Sequence, residues 1–298
     1  MTMYLSAITY THGAPRPIRE LGEAGSDDPQ LKEDLLELCC ESSVSVLDMA
    51  CDVAKQTVAA AGVTPDMVVY ATDTAEDRTM DAVKSIADAA GLKSAVPLGA
   101  SGHACGNFGL LLRLAAGLLH DSAAVLLITS DGARGGPRMM SDNLSVLSDG
   151  AAAVLVTRDA PAAPAPAFAV HDVVIAGDLS RRSDHAGLYG QRQAVQLGRA
   201  AAAALRAKSG AVPADFAWAM FNNYRLATQR FLSGAAGFKA PQLLLGPVAE
   251  HAHSFAADLL VNCDVLSRSK ALSPGDRVAL SSTGPHTWAL ADVEVLRT

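Results

Sequence analysis

Charge and aromatic rings are both scarce in this chain. Only 18% of its 298 residues are charged and 5% are aromatic. With half of the residues hydrophobic, disorder is excluded and a sizeable core is expected. Basic residues fall short of acidic ones, 24 Lys and Arg against 31 Asp and Glu, for a net charge of -7. No basic cluster with interleaved aromatics occurs, so nucleic acid is not an expected partner. No apolar run approaches the ~20 residues that span a bilayer. The opening Met1-Thr-Met-Tyr-Leu-Ser-Ala-Ile lacks the basic start of a signal peptide, and a cytoplasmic protein is expected.

Cysteines are few and follow no pairing pattern. Cys39, Cys40, Cys51, Cys105 and Cys263 form an odd set without Cys-x-x-Cys spacing, which argues against a disulfide framework and a zinc site. No metal is expected. Cys39 and Cys40 continue the apolar helical pattern of Leu35-Leu36-Glu37-Leu38 and are expected to pack. Cys51 and Cys263 also sit in helical patterns.

Cys105 stands apart. The stretch from Val96 to His120 enters as a short apolar run, turns through Ser101-Gly-His-Ala-Cys105-Gly-Asn-Phe108, and leaves as an apolar helix pattern. A thiol at a helix N-terminus faces unpaired N–H groups and the positive end of the dipole, which favour its thiolate. The competing reading is a buried cysteine that only packs.

Along the rest of the chain, strands alternate with helices, which points to α/β layers. Strands are expected at Tyr4–Tyr10, Met67–Ala71, Ala123–Thr129 and Leu147–Val156, the last turning at Asp149-Gly150. Two helical segments are expected between Leu31 and Ala61, and one at Thr79–Ala90. The Pro/Ala stretch Ala160–Pro166 reads as a stiff connector, dividing a half over 1–160 from a half over 167–298. Strands at 168–175, 216–221, 277–281 and 288–295 and helices at 197–207, 226–236 and 254–266 complete the second half. Each half closes with a buried strand, a Gly-containing connection and a second strand, a sign of internal duplication.

Three stretches in register resemble the thiolase-fold superfamily, specifically its ketoacyl-ACP synthase III branch. His103-Ala-Cys105-Gly-Asn-Phe108 resembles the active-cysteine turn. Leu147-Ser-Asp-Gly-Ala-Ala-Ala resembles the Gly-Asp-Gly-Ala turn. Ser282-Thr-Gly284-Pro-His-Thr-Trp288 resembles the C-terminal Gly-rich turn. The resemblance implies a five-layered αβαβα fold, a dimer and a covalent acyl-enzyme on Cys105. It places the oxyanion on the N–H groups of Cys105 and Gly284; Pro285 has no N–H to add.

The chain also departs from that pattern. Asn223 and Arg225 fall on the family's Asn and Arg, but Met220 stands where its catalytic His belongs. Glu250-His-Ala-His253-Ser-Phe-Ala-Ala-Asp258 resembles the Gly-His-x-Phe-x-x-Asp pattern of divergent relatives that transfer acyl groups to heteroatoms or work with a Cys–His pair alone. His253 is the expected general base, the alternative being a histidine satisfied at a helix N-terminus. Asp258 either orients its ring or caps the helix. Phe108, Met80, Asn222 and His286 are expected to line a substrate pocket, with Met139 and Met140 nearby. Arg134, Arg138, Arg181 and Arg182 could meet an acidic carrier or a phosphopantetheine phosphate.

The expected activity is that of an acyltransferase, loading Cys105 from an acyl-carrier-protein or coenzyme A thioester and passing the acyl group on, in a specialised rather than a primary pathway. No cofactor is expected beyond that thioester substrate. Two alternatives stand beside it: decarboxylative carbon–carbon condensation, and a non-catalytic subunit in a heterodimer with a homologue.

Overall fold

The computed structural model describes residues 1–74, 78–133, 135–140, 143–162, 165–180 and 188–298. In chain order the first half holds β1 (Met3–His12), β2 (Ala14–Pro17), α1 (Gln30–Glu33), β3 (Leu38–Glu41), α2 (Val46–Ala61), β4 (Met67–Ala71), α3 (Thr79–Ala89), β5 (Val96–Ala100), α4 (Asn107–Leu118), β6 (Ala124–Asp131) and β7 (Gly150–Thr157). The second half holds β8 (Ala167–Gly177), α5 (Leu188–Ser209), β9 (Trp218–Phe221), α6 (Leu226–Ala235), α7 (Val248–His251), α8 (Asp258–Arg268), β10 (Arg277–Thr283) and β11 (Thr287–Arg297).

Among the described residues, nine strands form one sheet in the order β5-β4-β6-β7-β1-β8-β11-β10-β9. β4 runs parallel to β5 and β6, and β9 runs parallel to β10, while β6/β7 and β10/β11 are antiparallel. The two halves thus repeat one motif and join where β1 pairs with β8, Met3 opposite Val170.

Alternation along the strands sorts the side chains into layers. Val68, Tyr70, Leu126 and Ile128 face α2 and α3 on one outer side. Val69, Val125, Leu127, Val278, Leu280 and Val293 face the opposite way, onto Phe108, Leu111 and Leu112 of α4 and Leu259 and Leu260 of α8. Ala219, Phe221, Trp288 and Leu290 face α5 and α6. The order is helices, the first-half part of the sheet, helices, its second-half part, helices, and α4 and α8 lie in the middle. Both central helices are sheathed in apolar side chains, which explains why Cys263 on α8 is buried; burial pushes its thiol up to about 12.

One expected element is corrected. Cys39 and Cys40 lie on a strand, not a helix: β3 pairs antiparallel with β2, Cys39 opposite Arg16 and Cys40 opposite Pro15. The helical pattern stops because Leu35 takes a left-handed φ of 62°. From there the backbone of Cys40 is held by Ser148 Oγ, 2.8 Å from its N–H, and by the Asp149 N–H, 2.9 Å from its carbonyl. The long helix that follows starts cleanly at Val46, where Ser45 and Asp48 form a capping box, and ends at Gly62 with φ 67°.

Candidate active site

Cys105 sits in a single 3-10 turn, Ala104–Gly106, that runs straight into α4. Its N–H is in the first turn and has no acceptor within the helix. The turn is fastened by Asp73, in the segment that follows β4. The Asp73 carboxylate accepts the N–H groups of Gly102 and Ala104, both at 2.5 Å, and the Asn107 Nδ2 at 3.0 Å. Behind it, Asp131 Oδ1 accepts the Asp73 N–H at 2.9 Å, and burial pushes the Asp131 carboxyl up to about 7.

The second half supplies the partners. Cys105 Sγ lies 2.8 Å from His253 Nε2, and His253 Nδ1 lies 2.5 Å from Asp258 Oδ2. His253 and Asp258 are fully buried. Asp258, the first residue of α8, also accepts the N–H groups of Asn223 at 2.6 Å and Ser254 at 2.7 Å. Its lone pairs are therefore fixed from three directions, and so is the plane of the imidazole. Burial opposes a charge on that ring, but the Cys105 sulfur and the Asp258 carboxylate outweigh it and raise His253 to about 10.

The backbone is strained around both partners. Ala104, Ala252 and Phe255 have positive φ values of 45°, 46° and 52°, directly before Cys105 and on either side of His253. Non-glycine residues in this region cost on the order of 1–3 kcal/mol each and persist where the surroundings over-determine them.

Cys105 opens onto a cavity of about 600 Å³. Its apolar wall includes Leu144, Leu197, Phe231, Leu232 and Trp288, and its floor near the sulfur is made by Tyr224, Thr283 and Gly284. The β10–β11 hairpin can approach the nucleophile turn because two glycines face each other. A Cβ on Gly284 would lie 2.3 Å from the His103 carbonyl oxygen, and one on Gly106 would lie 3.0 Å from the Gly284 nitrogen.

Cys105, His253 and Asp258 are brought together, and Gly284 lies beside them. The Gly284 N–H, however, donates to the Thr287 carbonyl at 2.9 Å across the hairpin, so here it is not a free oxyanion donor. Asn223 reaches the site through its backbone; its side-chain amide is buried without a partner among the described residues. Asn222 does not line the cavity but ties three loops together. Its Nδ2 donates to the carbonyls of Cys105 at 3.3 Å and Phe255 at 3.1 Å, and its Oδ1 accepts the Thr283 N–H at 3.1 Å.

Phe108 is corrected from pocket to core, since it is fully buried in the central layer. Met80 is 54% exposed on α3 and His286 lies in the hairpin turn, and neither lines the cavity. Met140 does line it, whereas Met139 packs against a separate cluster with Ile18 and Val146. Met220 is fully buried in the central apolar layer. Arg138 is engaged by Asp149 through two bonds, at 3.0 and 2.9 Å, and is not free to meet a phosphate. Arg134, Arg181 and Arg182 lie outside the described residues. Tyr224 and Asp73 were missed by sequence reasoning. Asp73 carried one usable signal, a polar residue just past the C-terminal end of a parallel strand, where sites in α/β sheets gather.

Five layers and two repeated halves give the chain the fold of solved 3-oxoacyl-(acyl carrier protein) synthase III structures. No protein-family model and no curated protein sequence matches the chain. Among solved structures, it is similar to 3-oxoacyl-(acyl carrier protein) synthase III, FabH, from Pseudomonas aeruginosa PAO1, with a TM-score of 0.82 and 16% identity over 100% of this chain and 99% of that one. The acyltransferase ChlB3 gives a TM-score of 0.81 and 16% identity over 100% and 98%. Cerulenin-bound OleA from Xanthomonas campestris gives 0.80 and 14% over 98% of each chain. Among the described residues no helix is long and apolar enough to cross a membrane.

Proposed function

We propose that this protein is an acyltransferase that carries its acyl group on Cys105. The observation that supports this most is the Cys105–His253–Asp258 line, 2.8 Å and 2.5 Å between neighbours, with Cys105 in the wall of a cavity. Attack of the Cys105 thiolate on a thioester carbonyl forms a tetrahedral oxyanion. Its collapse breaks the carbon–sulfur bond to the donor, and the departing thiolate takes the proton from His253. With the Cys105 charge consumed, one of the two interactions that raise His253 is gone, and the neutral ring becomes a base. It then takes the proton of an acceptor hydroxyl or amine as that group attacks the acyl-enzyme. Expulsion of the Cys105 thiolate restores the starting pair.

The donor is a carrier-protein or coenzyme A thioester, and the cavity receives its acyl or pantetheine portion. Heteroatom acylation is favoured over decarboxylative condensation because Met220 puts a thioether, buried among hydrocarbon, where the condensing pattern needs an imidazole. Such an activity belongs to a specialised pathway in the cytoplasm. A homodimer is part of the proposal: β5 is an edge strand, and Val96 on it and Met80 beside it are 56% and 54% exposed, a combination that invites pairing with another strand.

The test is intact-mass spectrometry after incubation with a panel of acyl thioesters. The expected result is one acyl mass on the wild type and none on Cys105→Ala. Failure of every carrier-linked and coenzyme A donor to label Cys105 would sink the reading. Release of carbon dioxide with a 3-oxoacyl product from a malonyl thioester would replace it by the condensing one.

A further inference from the structure

We propose that the phenol of Tyr224 is a catalytic hydrogen-bond donor to the oxyanion formed on Cys105. The inference rests on the acyl-enzyme reading above and adds a residue to it that neither composition nor motif singles out.

The need for such a donor comes from the hairpin. Charge developing on a thioester oxygen requires aimed donors, and removing one costs on the order of 10²–10³ in rate. The Cys105 N–H is one. The Gly284 N–H is already bonded to the Thr287 carbonyl at 2.9 Å, and Pro285 has no N–H. Re-aiming the Gly284 N–H would mean moving the backbone of the hairpin, not a single proton.

Tyr224 is placed to fill that gap. Its ring packs on His253, with centroids 4.7 Å apart, and it lines the cavity together with Cys105 and Thr283. The residue is 4% exposed, so its phenol acts in a water-poor setting. Its Oη accepts from Thr283 Oγ1 at 3.2 Å and donates to the Thr283 carbonyl at 3.1 Å. Burial, reinforced by the Cys105 sulfur, raises the phenol well above its ordinary value, so it remains a donor through the neutral range.

The proton has one degree of freedom left. Turning about the carbon–oxygen bond moves it from the Thr283 carbonyl to a substrate oxygen while the heavy atoms stay in place. The Thr283 hydroxyl still donates to Oη throughout. A neutral thioester oxygen competes poorly with the backbone carbonyl, but an oxyanion makes a charge-assisted bond about twice as strong. The phenol is thus drawn to the substrate only as charge appears, which is the differential binding that lowers a barrier. No proton is transferred to or from Tyr224.

The experiment compares two reactions of the same sulfur in wild type and Tyr224→Phe. One is acylation by an acyl thioester that labels the wild type, followed by intact mass. The other is alkylation by iodoacetamide, a displacement that forms no oxyanion. Acylation is expected to slow on the order of 10²-fold, with alkylation changing less than about threefold, a ratio that a merely structural role would leave near unity. Unchanged acylation overturns the proposal. Equal slowing of both reactions also overturns it, because Tyr224 would then act on the sulfur or the fold. Thr283→Val, which removes the hydroxyl that polarises the phenol, is expected to give the same pattern with a smaller ratio; an unchanged ratio there counts against the proposal. A wild type that accepts no acyl group from any donor removes the acyl-enzyme reading itself, and the oxyanion role with it.

Discussion

Asn222 binds the nucleophile turn from the far half of the molecule: its Nδ2 donates to the Cys105 carbonyl at 3.3 Å across 117 residues of chain. The same amide holds Phe255 and Thr283. Three loops that each carry part of the site therefore hang on one fully buried side chain.

Replacing that amide by a hydrocarbon of similar size, Asn222→Leu, leaves the Phe255 carbonyl and the Thr283 N–H without their partner. Each buried orphan costs about 1–3 kcal/mol. Urea unfolding is expected to show the loss as a lower midpoint, and acylation of Cys105 is expected to fall even where the protein is fully folded. Wild-type values for both would mean that the three loops are held elsewhere.

Asp258→Asn probes the orientation of the imidazole. An amide in place of the carboxylate cannot accept the Asn223 and Ser254 N–H groups and His253 together. Acyl transfer is expected to fall by on the order of 10²–10⁴, as when the acid of a serine-protease triad is changed to its amide. Single-turnover transfer from pre-formed acyl-enzyme measures it. A change below threefold would reduce Asp258 to a helix cap.

Met220→His returns an imidazole to the position where condensing enzymes carry one. In this protein Met220 is fully buried among Val278, Leu280 and the central helices. An unpaired polar ring there is expected to destabilise the fold by about 1–3 kcal/mol and to bring no decarboxylation of malonyl thioester. Thermal unfolding and carbon dioxide release are the readouts. A stable variant that decarboxylates would show the site to be closer to a condensing one than its packing indicates.

Acid should loosen the fold through His12. Its ring stacks on His251 at 4.3 Å and bonds to Ser254 Oγ at 2.9 Å. Burial and the His251 charge push it down to about 3. The unfolded chain binds a proton near pH ~6.5 that the folded chain refuses. The His12 contribution to stability is therefore complete above that pH and is lost as pH falls toward about 3. The slope is at most about 1.4 kcal/mol per pH unit. His12→Gln is expected to flatten this acid dependence, measured as the urea midpoint at pH 7 against pH 5. An unchanged slope would assign it to other groups.

The sequence carried some of this and hid the rest for identifiable reasons. Cys105 was legible because an apolar strand, a run of small residues and an apolar helix frame it in one continuous stretch. His253 and Asp258 were legible only through resemblance: they lie 148 and 153 residues beyond Cys105, and nothing in their spacing says what they face. Cys39 and Cys40 misled because Leu35–Cys40 has helical periodicity, while the structure is decided by distant backbone at Ser148 and Asp149. Phe108 looked like a pocket residue by its nearness to the cysteine, yet at the start of α4 its side chain swings into the core. Tyr224 left no trace at all. Its importance arises from Thr283 and His253, both met only in three dimensions.

The seam where β1 lies against β8 carries one last consequence. A single hydrogen-bonded ladder passes from one half to the other, and sulfur and imidazole come from opposite sides of that seam. Contacts so remote in sequence form late and slowly. A newly made chain should stay chemically silent until its last ladder closes, and labelling of Cys105 by acyl thioester would then time the end of folding.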